Sequence, residues 1–213
     1  MGADTVAGII RDAADKLGIS LTEKQFDQLC SYAELVGKWR RFASLTSAST
    51  PASFASEHIA DCLSVQPYVN GPRVVDVGSG AGLPGLVLAI ALPHLCFTLL
   101  EPRTKRMRFL TQARIDLELS NVEVLAERVE AYRPAQACDD IIARAFGSMS
   151  HLLAKTRTLQ RPGTRIIAMK AALDPEEALD CVVPAGSLRI VPLDVPGFRE
   201  RNLVIVEFAG ERK

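Results

Sequence analysis

The stretch Val75–Gly85, which reads VDVGSGAGLPG, decides the fold of this chain. It overlaps the end of a β-branched run, 74–77, and leads into an apolar segment, 84–92, that has proline at its start. Together these features predict a strand, a tight loop and a helix in succession. Glycines in such a loop adopt positive φ and let a ligand approach the backbone closely. The loop is therefore the first candidate binding site, in the crevice where doubly wound sheets bind ligands.

Beyond this loop, short apolar runs alternate with helical segments. Further strands are predicted at 97–100, 122–125, 141–145, 165–169, 188–191 and 203–208, and helices at 103–119 and 149–159. Strands that alternate with helices form a parallel sheet covered on both faces. Because only a short Pro/Gly loop joins the last two strands, they indicate an antiparallel addition at one edge. The sequence predicts an α/β, Rossmann-like fold with a mostly parallel, seven-stranded sheet and an antiparallel edge strand.

The region before the loop has the pattern of amphipathic helices. Helices are predicted at 4–17, 23–41 and 54–69, with a loop at 44–53. Gly18 ends the first helix, and Thr22 with Gln25 forms a capping box for the second. Residues 1–70 are therefore predicted to be a helical extension packed on a Rossmann-like domain at 71–213.

Composition restricts the class of protein. The chain has 213 residues, 25 basic and 25 acidic side chains and 48% apolar residues, which excludes intrinsic disorder and a wholly basic nucleic-acid-binding protein. The five cysteines, Cys181 among them, include no Cys-x-x-Cys pair, and the three histidines are scattered. With no leader-like start, this favours a reduced, cytoplasmic setting without a metal site. Glycines and prolines divide the uncharged segment 77–100 into pieces too short to cross a membrane.

Two acidic residues indicate what the glycine loop binds. Glu101 ends the second predicted strand, where a carboxylate can accept hydrogen bonds from both hydroxyls of a ribose. Gly80, Gly82 and Gly85 also match the dinucleotide pattern, with the acid about 20 residues further on, so glycines alone do not separate a nicotinamide cofactor from S-adenosylmethionine. Asp76 favours S-adenosylmethionine, because an acid two residues before Gly-x-Gly-x-Gly is typical of class I methyltransferases, where it helps to hold the amino-acid end of the cofactor.

Motifs from about residue 25 to residue 208 occur in an order that resembles one family. They are Trp39 with Ser44-Leu45-Thr46, Glu57–Leu63, Asp76–Gly85, Lys105-Arg106 with Phe109-Leu110, Arg128-Val129-Glu130, Arg144-Ala145 and Arg201–Val204. The set is similar to the small-subunit (16S) ribosomal RNA guanine-N7 methyltransferases, first known as glucose-inhibited division protein B. Some positions depart from that family's usual asparagine, serine or glycine, namely Arg40, Ser44, Cys62, Ala143 and Ala171.

This resemblance implies an activity and a set of site residues. The activity is methyl transfer from S-adenosylmethionine to N7 of a guanine in 16S ribosomal RNA, by an enzyme with the class I methyltransferase fold. The family's methyl-donor contacts fall on Gly78, Leu83, Val129, Glu130 and Arg144. Arg144, at the end of the fourth predicted strand, is the candidate catalytic residue, since it would orient the target base or line the donor pocket. Guanine N7 carries a lone pair at neutral pH, so in-line approach matters more than acid–base catalysis.

Three clusters of basic residues are candidate RNA contacts. They are Lys38, Arg40 and Arg41; Arg103, Lys105, Arg106 and Arg108; and Arg199 with Arg201. Phosphate contacts set the register of bound RNA, and the target base must be unstacked. A solvated helix face is an equally good interpretation of each cluster alone. For Lys170, and for His58 with Asp61 one helical turn later, a structural role competes with a role at the RNA entrance.

Two other functions stay open on the sequence alone. A methyltransferase that acts on a small molecule or a protein would leave the basic clusters without a purpose. A module that binds NAD or another nucleotide would share the glycine pattern. The absence of a long amphipathic repeat favours a monomer.

Overall fold

The sheet of this protein has seven strands in the order β3-β2-β1-β4-β5-β7-β6. The computed structural model describes residues 5–171 and 186–209. The strands are β1 Arg73–Val77, β2 Cys96–Leu100, β3 Val122–Leu125, β4 Asp140–Arg144, β5 Arg165–Lys170, β6 Gly186–Pro192 and β7 Asn202–Phe208. The first five are parallel, and β7 is antiparallel to both β5 and β6. The predicted fold class is confirmed, with the refinement that the antiparallel strand lies next to the edge strand β6.

Helices cover both faces of this sheet. They are α1 Val6–Leu17, α2 Glu23–Ala43, α3 Pro51–Phe54, α4 Ala60–Leu63, α5 Gly85–Ala91, α6 Thr104–Asp116 and α7 Met149–Lys155. A π turn, Ala55–Ile59, joins α3 to α4, and a 3-10 turn, Gln66–Tyr68, follows. Buried residues of α1, α2, α5 and α6 form one apolar cluster with the strand residues on one face of the sheet. Buried residues of α7 form a second cluster with the alternate strand residues, which lie on the other face.

The capping chemistry near the N-terminus explains where its helices begin. Thr22 and Gln25 form the predicted capping box, and Gly18 ends α1 in the left-handed conformation. Thr50 and Ser53 form a second capping box that the sequence analysis missed. The third helical segment therefore begins at Pro51, and the preceding loop is shorter than predicted.

The N-terminal helices share a core with the sheet domain. Leu29, Tyr32 and Phe54 are buried in the same apolar cluster as Leu86 of α5 and Phe109 of α6. The Tyr32 hydroxyl also donates to the Ala81 carbonyl at 2.6 Å, which fastens α2 to the glycine loop. The division of the chain at residue 70 stays a prediction.

The strand order creates a crevice above β1 and β4. Strand β1 pairs with β2 on one side and with β4 on the other. The chain therefore adds β2 and β3 on one side of β1, then crosses over and adds β4 and β5 on the other side. Ligands of doubly wound sheets bind at such a switch point, outside the carboxyl ends of the strands. Ala145 follows β4 with a φ of 54°, which ends the strand one residue earlier than predicted and turns the chain toward the crevice.

Candidate functional site

The glycine loop folds over the carboxyl end of β1. Gly78, Gly80 and Gly82 have φ values of 72°, 57° and 91°, where a Cβ atom causes strain. The N–H groups of Gly78 and Ser79 donate to the Leu100 carbonyl at 2.9 and 3.2 Å, so the loop is tied to the end of β2. The predicted succession of strand, loop and helix is confirmed.

Asp76 braces this loop from below. Its carboxylate is buried, and Oδ2 accepts the N–H of Gly85 at 3.1 Å, while no hydrogen bond within the described residues reaches Oδ1. Burial raises the pKa of Asp76 to about 7. The structure places Asp76 among the residues that support the loop and not among those that line a cavity, so its predicted contact with a cofactor stays a prediction.

Glu101 holds the other side of the loop. Its side chain is 3% exposed; Oε2 accepts the N–H of Gly80 at 3.0 Å and Oε1 accepts the N–H of Arg103 at 2.9 Å. A carboxylate oxygen has more than one lone pair, so each oxygen can accept a further hydrogen bond. Two backbone N–H groups thus fix the orientation of the Glu101 carboxylate, which lines a cavity that we call the first cavity.

The first cavity has a volume of about 240 Å³ and brings together four of the predicted cofactor contacts and two of the predicted RNA contacts, Arg103 and Arg106. Its lining is Val77, Gly78, Leu100, Glu101, Pro102, Arg103, Arg106, Glu127, Arg128, Val129, Glu130, Phe146, His151 and Lys155. Gly78, Glu101, Val129 and Glu130 are the predicted cofactor contacts. Gly80, Gly82 and Leu83 lie in the loop but outside this lining.

Several lining residues of this cavity were missed by the sequence analysis, among them Phe146, His151 and Lys155. A Cβ at Gly78 would lie 3.3 Å from the ring of Phe146, which therefore closes one side of the cavity. The rings of Phe146 and His151 are 5.7 Å apart. Lys155 pairs with Glu130, and this hydrogen bond lowers the pKa of Glu130. The position of Phe146 just beyond the fourth predicted strand was the available signal; His151 and Lys155 gave none.

A second cavity, of about 240 Å³, lies at the end of β4. Arg144 and Ala145 line the second cavity, and Phe146 lines the first. The other residues of the second lining are Asp61, Met169, Lys170, Ala171, Leu193, Arg201 and Asn202. Arg144 was predicted as a donor contact as well as a catalytic residue. Arg144 lines the second cavity and not the first, so its contact with the donor stays a prediction.

A buried carboxylate organises the second cavity. Asp61 is 2% exposed; its Oδ2 lies 3.3 Å from Arg144 Nε and its Oδ1 lies 3.1 Å from Arg201 Nε. Burial raises the pKa of Asp61, and the two guanidinium groups oppose that shift. One carboxylate therefore holds two cations, one at the end of β4 and one just before β7, an arrangement that leaves the cavity positively charged.

His58 joins the same cluster. Its Nδ1 lies 2.9 Å from Arg144 Nη2, and its Nε2 lies 2.9 Å from the Thr46 hydroxyl. Burial and the Arg144 charge lower the pKa of His58 to about 4. The pair of His58 and Asp61, whose role the sequence left open, thus contacts the candidate catalytic arginine.

Stability should depend on pH through His58. Its pKa is lower in the folded chain, about 4, than the unperturbed 6.5, so the unfolded chain binds more protons between those values and stability falls as the pH decreases. Allowing for partial exposure to solvent, we expect the contribution of His58 alone to fall by about 1 kcal/mol between pH 7 and pH 5, while the raised pKa of Asp76 acts in the opposite direction in wild type and variant alike. Urea denaturation at both pH values measures it, and His58→Asn should remove this loss. An identical pH dependence in that variant would contradict the assignment.

Some of the predicted RNA contacts are exposed cations. Lys38, Arg41, Arg103, Lys105, Arg108 and Arg199 are exposed. Lys105 Nζ lies 5.2 Å from the centre of the Phe42 ring, which is itself 53% exposed. The carboxyl end of α2 and the amino end of α6 therefore form one basic surface, which we call the α2–α6 surface and define as Arg41, Phe42, Lys105 and Arg108.

Other predicted RNA contacts are engaged inside the protein. Arg40 donates to the Ala48 carbonyl at 3.3 Å and Arg106 donates to the Ser44 carbonyl at 3.1 Å. Both arginines thus hold the loop between α2 and α3. Arg201 pairs with Asp61, lies 3.9 Å from the Phe198 ring centre and lines the second cavity, so its contact with RNA stays a prediction.

Other predicted features concern thiols, metals and membranes. Cys30, Cys62, Cys96 and Cys138 are free thiols, and Cys181 lies outside the described residues. Within the described ranges, no group of three or more His, Cys, Asp or Glu side chains is placed to hold a metal ion. None of the helices in those ranges is long and apolar enough to span a membrane.

Comparison with known sequences points to one family. A family model described as rRNA small subunit methyltransferase G, GidB, matches residues 25–204. The chain is 42% identical over 190 residues to "Ribosomal RNA small subunit methyltransferase G" of Nitrosococcus oceani, which is 88% of each protein. A protein of the same name from Salmonella arizonae is 40% identical over 194 residues, 91% of this chain and 94% of the relative.

Comparison with solved structures shows the fold. The O-methyltransferase TomG of Streptomyces achromogenes, in complex with SAM, matches with a TM-score of 0.58 and 13% identity over 84% of this chain and 90% of TomG. TrmN of Thermus thermophilus matches with a TM-score of 0.55 and 23% identity over 79% of this chain and 52% of TrmN. The chain is similar in architecture to class I methyltransferases.

Proposed function

The chain belongs to the GidB family of rRNA small subunit methyltransferases, and on that premise we propose that it methylates N7 of a guanine in 16S ribosomal RNA with S-adenosylmethionine as donor. One observation supports this most strongly. Consecutive residues at the end of β4 line two cavities: Phe146 lines the one that contains Glu101 and Gly78, and Arg144 and Ala145 line the other. Such a pair can hold a methyl donor and a methyl acceptor side by side.

The first cavity suits the donor. Because Gly78 has no side chain, the space between its backbone and the Phe146 ring, which a Cβ would fill, is free for a ligand. The Glu101 carboxylate, held by two backbone N–H groups, would accept hydrogen bonds from the ribose hydroxyls. Val129 and Glu130 would flank the adenine. When bound, S-adenosylmethionine supplies a methyl group on a sulfonium sulfur that a nucleophile can take. The protein's part is to orient the two reactants, which can supply about 7–11 kcal/mol of the barrier.

The second cavity suits a guanine. Guanine presents the O6 and N7 acceptors on one edge, and arginine is their commonest protein partner. For N7 to react, its lone pair must stay free, so Arg144 would donate to O6 alone. The guanidinium has five N–H donors, and the contacts with Asp61, His58 and the Cys62 sulfur use three of them, which leaves donors for O6. Because neutral N7 already carries its lone pair, this chain needs no general base for the transfer.

Replacing Glu101 by glutamine should weaken donor binding. The variant keeps one acceptor oxygen but loses the charge and the second acceptor, so we expect a Kd for S-adenosylhomocysteine about 30-fold higher. Isothermal titration calorimetry measures it. Glu127→Gln, which changes an exposed carboxylate of the same cavity, should alter the Kd by less than about threefold, and equal effects of the two variants would contradict the ribose assignment.

The RNA backbone is proposed to bind the α2–α6 surface. The net charge of the chain is zero, so attraction to phosphates has to be local. Arg103 and Arg106 lie at the amino end of α6, as Lys105 and Arg108 do, and they line the first cavity. The α2–α6 surface is therefore beside the proposed donor site. A folded ribosomal substrate, in which the target guanine is already unstacked, would therefore bind better than arbitrary RNA. We also propose that the enzyme acts in the cytoplasm as a monomer.

Charge reversal at Lys105 should weaken binding of the RNA substrate but not binding of the methyl donor. We expect Lys105→Glu to raise KM for the small ribosomal subunit about tenfold, with a weaker dependence on salt and an unchanged Kd for S-adenosylhomocysteine. Arg114→Glu makes the same charge change on an exposed residue at the other end of α6 and should leave KM within about twofold. Steady-state kinetics at two salt concentrations distinguish the variants, and an effect of equal size in both would argue against this surface.

Mapping of 7-methylguanosine in ribosomal RNA tests the proposed function. Cells that lack this gene should lose one such nucleoside from 16S RNA, and a plasmid copy of the gene should restore it. An unchanged map would refute the assignment. A thermal-shift measurement separates the nucleotide-module alternative, since stabilisation by NADH and not by S-adenosylhomocysteine would contradict methyl transfer.

A further inference from the structure

We propose that His58 is a positioning residue: the neutral ring accepts a hydrogen bond from Arg144 and fixes its guanidinium at the second cavity. The inference rests on the proposed function, in which that guanidinium faces the target base. Arg144 is then held by Asp61 at Nε and by His58 at Nη2, beside a longer contact of Nη1 with the Cys62 sulfur at 4.0 Å. Two holding points at different nitrogens determine the plane of the guanidinium as well as its position.

The contacts of the His58 ring define its tautomer. A guanidinium only donates, so Nδ1, 2.9 Å from Arg144 Nη2, must be the unprotonated acceptor. The ring proton is then on Nε2, which donates to the Thr46 hydroxyl oxygen at 2.9 Å. That oxygen also accepts the N–H of Ala48 at 3.1 Å. The Glu57 carbonyl also lies 2.9 Å from Nδ1 and would accept a proton there in the opposite tautomer, so the protonation of Nδ1 is the quantity that tests the proposal.

The local backbone explains how His58 and Asp61 reach the same arginine. His58 lies in the π turn Ala55–Ile59, and Asp61 lies in the helix that follows. A π turn adds a residue to the helical turn and is frequent at functional sites. The Phe54 ring packs edge-on against the imidazole, with centroids 5.2 Å apart, which limits its rotation.

The charges around His58 favour its neutral form. Arg144 on β4 and Arg201, just before β7, both act against protonation, and Asp61 on α4 binds both of these cations. Burial acts in the same direction as the arginines, and the pKa of about 4 keeps the ring neutral at physiological pH. The acceptor at Nδ1 is therefore present whenever the enzyme works near neutrality.

Two variants separate the two hydrogen bonds of the ring. Asparagine places an oxygen near the position of Nδ1 and keeps the contact with Arg144, whereas glutamine reaches the position of Nε2 and keeps only the contact with Thr46. We expect His58→Asn to retain kcat for the small ribosomal subunit within about threefold and His58→Gln to lower it at least about tenfold. Both should keep the wild-type Kd for S-adenosylhomocysteine. Equal losses of kcat that follow equal losses in Tm would overturn the proposal.

Nuclear magnetic resonance tests the inference without any activity. In 15N-labelled wild-type protein, the His58 ring should show a protonated Nε2 and an unprotonated Nδ1 at pH 7, and the Arg144 Nε–H signal should survive in His58→Asn but broaden in His58→Gln. A proton on Nδ1, or an unchanged Arg144 signal in both variants, would overturn the proposal. If wild-type enzyme transferred no methyl group, the proposed function would fail, and these spectra would still decide the role of His58.

Discussion

Replacing Arg144 by lysine is expected to lower kcat for methyl transfer by about 10²-fold while the Kd for S-adenosylhomocysteine stays within about threefold. Lysine preserves a positive charge beside the buried Asp61, so the fold should survive. It has no planar fork, however, and cannot contact Asp61 and His58 from two fixed nitrogens. The reaction depends on in-line approach, so a misplaced target base slows the transfer step rather than donor binding.

Single-turnover kinetics and calorimetry check this expectation. Arg199→Lys is the matched control, since it makes the same change at an exposed arginine and should leave kcat within about twofold. A parallel loss of donor affinity in Arg144→Lys would return Arg144 to the donor site, where the sequence analysis had predicted it. An unchanged kcat would remove it from the reaction altogether.

Replacing Gly85 by alanine should destabilise the protein by about 3 kcal/mol or more. A Cβ at this position would lie 2.2 Å from the Leu99 side chain and 2.4 Å from Asp76 Oδ2. Both neighbours are buried, so neither can move without disturbing the core. The change would also displace the carboxylate that accepts the Gly85 N–H, and thus loosen the glycine loop.

Urea denaturation measures this loss, and a second glycine supplies the control. Gly18 has a φ of 66° but nothing within 4 Å of an added Cβ, so Gly18→Ala should cost only the backbone strain, about 1–2 kcal/mol. Similar losses in both variants would mean that the contact between Gly85 and Asp76 is looser than the structure indicates.

Local chemistry made most of the fold predictable. The capping box of Thr22 and Gln25, the left-handed Gly18 and the glycine loop are all decided by residues close together in sequence. The start of the third helical segment was predicted too late, because Thr50 and Ser53 cap it from within a stretch that resembled a loop. The π turn that follows has no local signal in the sequence.

The candidate site was predictable only where it follows the strand ends. Gly78 and Glu101 directly follow β1 and β2, and Val129 lies in the loop after β3; the structure brings all three to one cavity. The cluster of Asp61, Arg144 and Arg201 joins residues up to 140 positions apart. Such contacts depend on the strand order, which places β4 beside β1 and β7 two strands further out, and no local pattern records that order.

The most direct test is a crystal structure of this chain soaked with S-adenosylmethionine. Our account predicts electron density in the first cavity, with the ribose hydroxyls on Glu101, the adenine beside Val129 and the methyl group directed toward the cavity that Arg144 lines. Density at another place, or a methyl group directed away from Arg144, would contradict the assignment of donor and acceptor to these two cavities.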